Sequence, residues 1–150
     1  MSESLKKHNL VYVIALVAVF ALYIFNLFLS TISQLPARFI RTIFPNSIGN
    51  LSAKYHIDIT PANWVFPFIW NVIYLFQLAW LIYALVCLFR RTKDGDLLYR
   101  RVSFIPLGAI IAFGVCVIQL IAWLFTWTHQ CIWVLYYISY LTYSFLFYLI

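Results

Sequence analysis

Apolar residues fill four long stretches, at about 10–33, 62–89, 102–128 and 131–150, and polar residues gather between them. A helix rises 1.5 Å per residue, so roughly 20 residues cross the ~30 Å hydrocarbon layer of a bilayer. Each stretch reaches that length. Barrel strands alternate apolar and polar positions over about 10 residues, whereas segments such as 11–20 are apolar throughout. The pattern therefore predicts an all-α membrane protein: one domain over residues 1–150, built as a four-helix transmembrane bundle. The second and third stretches have residues to spare, which tilt or protruding ends absorb. The first follows Lys6 and Lys7 as a signal peptide would, but its run exceeds the roughly 7–15 residues of a signal core. No small-residue cleavage site follows it, so it reads as an uncleaved span. Ile150 closes an apolar run with no interface anchor behind it, as expected of a shortened version of a longer protein.

The connections differ in kind. The first, about 34–60, is long and carries Pro36, Pro45 and Gly49, with a basic amphipathic piece at 37–44 suited to the membrane interface. The second, about 90–101, is short and polar and turns at Asp94-Gly95-Asp96. The third is only His129-Gln130, which demands a tight antiparallel hairpin, with His129 at the end of the third helix.

Composition agrees with lipid as the solvent. The chain is 65% apolar and 9% charged, against about 25% charged in soluble domains. Its net charge of +6 does not mark a nucleic-acid partner, because the positives lie between apolar spans and not along one face. Lys6, Lys7, Arg90, Arg91, Lys93, Arg100 and Arg101 fall on one side of a four-span arrangement; Arg38, Arg41 and Lys54 fall on the other. That bias predicts a cytoplasmic N-terminus and second connection. Asn50-Leu51-Ser52, a glycosylation sequon at Asn50, then lies on the outer side, which favours an endomembrane or plasma-membrane location.

Little points to catalysis. The only acids are Glu3, Asp58, Asp94 and Asp96, so no span carries a carboxylate for a dyad or proton relay. His8, His56 and His129 are scattered, which leaves no metal site and no expected cofactor. No Gly-rich phosphate loop occurs, and the serines lack a nucleophile context. Cys87, Cys116 and Cys131 fit neither a disulfide framework nor a zinc site and read as small packing residues. A homo-oligomer is left open.

Each span does carry a polar and aromatic seam at helical spacing: Tyr23, Asn26, Ser30 and Ser33; Asn63, Pro67, Trp70, Tyr74 and Gln77; Cys116, Gln119, Trp123 and Trp127; Trp133, Tyr137, Tyr140 and Ser144. N–H and O–H groups facing lipid go unpaired, so all four seams are expected to point inward. An inward lining of this kind suits a pocket for a flat ligand. Spacing alone favours the plainer reading, helix packing in a membrane scaffold or subunit that has no small-molecule ligand.

The second span opens Thr60-Pro61-Ala62-Asn63-Trp64-Val65-Phe66-Pro67-Phe68-Ile69-Trp70-Asn71-Val72-Ile73-Tyr74. This resembles the second-helix signature of the TspO family of tryptophan-rich sensory or translocator proteins, Thr-Pro-x-x-Trp-x-Phe-x-x-x-Trp-x-x-x-Tyr. Trp123 to His129 is similar to the Trp-rich end of the third helix in some relatives. The resemblance implies a helical bundle with a cavity lidded by the first connection. Family bundles have five helices, and this chain has room for four. It also implies a receptor or carrier for a flat hydrophobic ligand such as a tetrapyrrole or sterol. Trp64, Phe66, Trp70 and Tyr74 are the helix-two residues it would carry over, and Trp123 and Trp127 the helix-three residues. Gln77 and Gln119, on the same seams, complete the expected ligand-binding set. Family relatives also occupy the mitochondrial outer membrane.

Reporter fusions at Asp94-Gly95 are expected to read cytoplasmic and fusions near Gly49 lumenal. Endoglycosidase should increase gel mobility if Asn50 is glycosylated. The reverse reporter pattern would overturn the orientation.

Overall fold

The computed structural model describes residues 9–35, 37–54, 65–101 and 105–131, with Trp133, Val134, Tyr136, Tyr137, Tyr140 and Leu141 beyond them. It is helical, in the order α1 (Leu10–Ile32), α2 (Arg38–Ile43), α3 (Ile48–Lys54), α4 (Val65–Phe89), α5 (Leu98–Arg101) and α6 (Leu107–Thr128). Among the described residues three helices are long and apolar enough to cross a membrane: Leu10–Ile32, Phe68–Phe89 and Leu107–Thr128. Trp133, Val134, Tyr136, Tyr137, Tyr140 and Leu141 are helical too, but the rest of the expected fourth span lies outside the described residues.

Helix α1 starts where the Asn9 side chain accepts the Tyr12 N–H at 3.4 Å, an N-cap that occupies one otherwise orphaned donor. Its inward face is Tyr12, Leu16, Val19, Tyr23, Asn26 and Leu29. Most of that face packs on α6, whose buried residues are Ile110, Gly114, Val117, Leu124 and Thr128. The two run parallel: Tyr12 meets Ile105 at one end, and Leu29 clusters with Leu124 at the other. Gly114 sets their separation, since a Cβ there would lie 2.8 Å from Val19 Cγ2. A small residue at a helix crossing lets two backbones approach, and in lipid such close packing replaces the hydrophobic drive.

Helix α4 runs antiparallel to α1 and contributes Leu81, Ala84, Cys87 and Leu88 to the same core. The backbones of α4 and α6 stay apart and meet through rings, Trp80 on Phe113 at 5.2 Å and Trp70 on Trp123 at 6.0 Å.

The connections close the two ends. At one end, Leu98 N donates to Arg90 O, Thr92 N to Asp96 O and Gly95 N to Thr92 O, with Gly95 at φ 81°. This turn buries Leu97 and Tyr99. The Tyr99 ring stacks on Tyr12 at 4.8 Å, and its hydroxyl accepts the Asn9 N–H at 2.7 Å. At the other end, Phe44 is fully buried after α2 and lies 5.0 Å from the Phe125 ring. Asn46 Nδ2 donates to Thr128 O at 2.8 Å. The start of α1 and the second connection therefore share one end, and the first connection shares the other with the end of α6.

Helix α6 ends at His129. Gln130 has φ 58°, and Gln130 N and Cys131 N donate to Trp127 O and Thr126 O. This is a Schellman stop, with glutamine where glycine is usual.

Two expectations are corrected. The described part of the fourth seam does not point inward: Trp133, Tyr137 and Tyr140 are 82%, 65% and 63% exposed, and Ser144 lies outside the described residues. Amphipathic Trp and Tyr rings can face the interface without an internal partner, so their spacing fixed a common face and not its direction. Cys131, expected as a packing residue, is exposed in the turn, whereas Cys87 is buried.

Gly114→Ala should cost about 1–3 kcal/mol by overpacking against Val19. Val19→Ala in the same protein should recover part of that loss. Denaturant titration in detergent micelles measures both; a Gly114→Ala protein as stable as the parent would refute the close approach.

Candidate functional site

Above the α1–α4 core, α4 and α6 face each other across a ladder of rings. Tyr74 and Trp70, one turn apart on α4, have centroids 5.8 Å apart. Trp70 stacks on Trp123 of α6 at 6.0 Å and 29°. Trp123 stacks on Trp127, one turn on, at 5.6 Å and 11°. These separations lie within the attractive range for offset aromatic pairs. The ladder exists because both helices present rings every three or four residues, and because close packing of α6 on α1 leaves the ring-bearing flank of α6 to α4.

Polar groups line the same strip. Gln77 lies one turn from Tyr74, and Gln119 one turn before Trp123, each near the middle of its span. Gln77 Oε1, Gln119 Oε1, Trp127 Nε1 and Asn26 Nδ2 are buried and have no hydrogen-bond partner among the described residues. Asn26 is 1% exposed on the α1 face, three residues after Tyr23, whose hydroxyl donates to Tyr74 O at 2.6 Å. Buried polar groups in proteins are nearly always paired, and an unpaired one costs about 1–3 kcal/mol. Three of these lie on the α4–α6 strip and the fourth on the inward face of α1, a set that ordinary helix packing does not explain. Other buried polar side chains near this end are satisfied: Thr128 Oγ1 donates to Leu124 O at 2.9 Å and Ser33 Oγ to Ser30 O at 2.8 Å.

Six of the eight expected ligand-binding residues therefore lie on this strip: Trp70, Tyr74, Gln77, Gln119, Trp123 and Trp127. Trp64 lies outside the described residues, as does the side chain of Phe66, although Phe66 belongs to α4. Asn26, on the inward face of α1, adds a buried unpartnered amide among the described residues without having been in the expected set. It was legible only as part of the α1 seam, and its lack of a partner is a tertiary fact. Asn50 is exposed on α3, where its N–H donates to Ser47 Oγ. Among the described residues no cluster of His, Cys, Asp or Glu is arranged to hold a metal.

A family model described as TSPO-like protein matches residues 10–150. The chain belongs to the TSPO-like protein family. No curated protein and no solved structure matches it. Membership makes this TSPO-like chain an integral, multi-pass membrane protein whose apolar helices lie in a lipid bilayer. The helix-two residues that carried the resemblance, Trp70 and Tyr74, are the α4 half of the ring ladder.

If the two glutamine oxygens are unpaired in the closed strip, Gln77→Leu and Gln119→Leu should each stabilise the ligand-free protein, by about 1 kcal/mol. Thermal unfolding in detergent reads the sign. A loss of stability in both would mean that the amides hold helices together.

Proposed function

We propose that this TSPO-like protein is a non-catalytic receptor or carrier for a flat, largely apolar ligand held against the Tyr74, Trp70, Trp123 and Trp127 rings. The observation that carries this reading is the set of unpartnered buried polar atoms beside the ladder. A scaffold gains nothing from half-satisfied polar groups in its interior, where each is more costly than an apolar residue. A binding site does gain, because a ligand that pairs with them recovers their desolvation cost and is oriented by them. The atoms are shielded in the structure, so the strip is closed, and a ligand enters by parting the rings. Family resemblance supports a tetrapyrrole or sterol as the ligand. The charge bias supports a cytoplasmic N-terminus in an endomembrane or plasma membrane.

The ring contacts themselves also favour the second reading, a scaffold in which the ladder only joins α4 to α6. Titration of the purified protein with a porphyrin and with a sterol, followed by Trp fluorescence, separates the two. The receptor reading expects saturable quenching by the porphyrin, or saturable displacement of a bound fluorescent sterol. Trp127→Phe should weaken binding about 2- to 10-fold, the worth of one hydrogen bond of ~0.5–1.5 kcal/mol. Trp70→Phe should bind more tightly than Trp70→Ala. No saturable signal from folded protein with either ligand would leave the scaffold reading.

A further inference from the structure

The turn that closes the α1 end of the bundle presents cations on a fixed frame. Arg90, Arg91 and Lys93 are exposed and follow directly on Phe89, which is 81% exposed at the end of its span. This places them where the hydrocarbon gives way to headgroups. The frame is rigid for so short a segment. An isolated bridge pairs Arg91 with Leu97, and the Arg91 guanidinium also donates to Gly95 O at 3.4 Å. The acids on this turn are Asp94 and Asp96, and Asp96 Oδ1 is engaged with the Leu97 N–H at 2.8 Å. Leu97 and Tyr99 anchor the turn in the core, and Tyr99 ties it to the start of α1.

A positive cluster at the edge of a bilayer attracts anionic headgroups, and the attraction weakens with salt. A cluster held in place before binding loses little conformational freedom when it binds. We propose that the second connection is an anionic-phospholipid site, in which the phosphates of the adjoining leaflet lie against Arg90, Arg91 and Lys93 and brace the clasp between α1, α4 and the start of α6. The inference is independent of the ligand reading, since it concerns the opposite end of the bundle from the ring ladder.

The test uses the full chain in vesicles of phosphatidylcholine alone or mixed with phosphatidylglycerol, with the unfolding midpoint followed by Trp fluorescence. The anionic lipid should raise the wild-type midpoint by about 4 °C or more. Raising the salt from about 0.05 M to about 0.5 M should remove most of that rise. R90Q/R91Q/K93Q should fold in phosphatidylcholine and, relative to its own midpoint there, lose at least half of the rise. R38Q/R41Q, at the other end, should keep it. R90K/R91K preserves charge and should also keep it, which guards against a glutamine variant that fails to fold. The proposal is overturned by no rise in the wild type, a rise indifferent to salt, a rise kept in full by R90Q/R91Q/K93Q, or a loss confined to R38Q/R41Q. Inorganic phosphate added to phosphatidylcholine vesicles should leave the midpoint unchanged; an equal rise would assign the site to a soluble anion instead.

Discussion

Val19 and Gly114 bring α1 and α6 closer than any pair of larger residues would allow, and the arrangement of the other elements follows from that contact. With α6 committed to α1 along Ile110, Gly114 and Val117, its neighbouring flank is left to α4. The remaining distance is too great for backbone packing and is filled by rings. The lower half of α4 closes onto the core through Leu81, Ala84 and Leu88, while its upper half meets α6 through Trp70. A tight seam on one side of the bundle thus creates an aromatic seam on the other.

Lipid makes polar placement stringent, because no surrounding water can repair an unmade bond. Most of the chain obeys this rule locally. Thr31, Ser33, Thr126 and Thr128 return their hydroxyls to carbonyls of their own helices, and Tyr23 gives its hydroxyl to α4. Against that background Asn26, Gln77, Gln119 and Trp127, unpartnered among the described residues, form a separate population: three on the strip where α4 and α6 meet through rings, and one on the inward face of α1. Local satisfaction elsewhere gives their grouping its meaning.

The three long helices α1, α4 and α6, the shared end of the start of α1 and the second connection, and the inward faces of α1 and α4 were legible in the sequence, because hydrophobic length and three-to-four spacing act through local geometry. The family signature at Trp70 and Tyr74 was legible for a different reason: it is a pattern of residue types, and it led to the ring ladder. What spacing does not encode is the partner of a face. Trp133, Tyr137 and Tyr140 share a face as expected, yet that face is exposed. Gly114 gave no sign of its role, since a glycine in an apolar helix gains its meaning only from Val19 opposite. Phe44 and Tyr99, which lock the two ends, sit in connections, where the pattern of the chain does not name the ring or backbone each one meets.

The order in which the chain is made adds a further consequence of the α1–α6 contact. Val19 is translated about 95 residues before Gly114, which at typical synthesis rates is a delay of roughly 5–20 s. Tyr99, which holds the N–H of Asn9, is likewise made late. Through that interval α1 sits in the bilayer with Asn26 and Tyr23 on an unclaimed face. Helix α4 arrives first and offers Tyr23 a carbonyl, but only α6 can cover the rest. Until α6 is inserted, the nascent α1–α4 pair leaves that polar stripe open to lipid, and whatever shields it in the meantime acts as a chaperone for the fold.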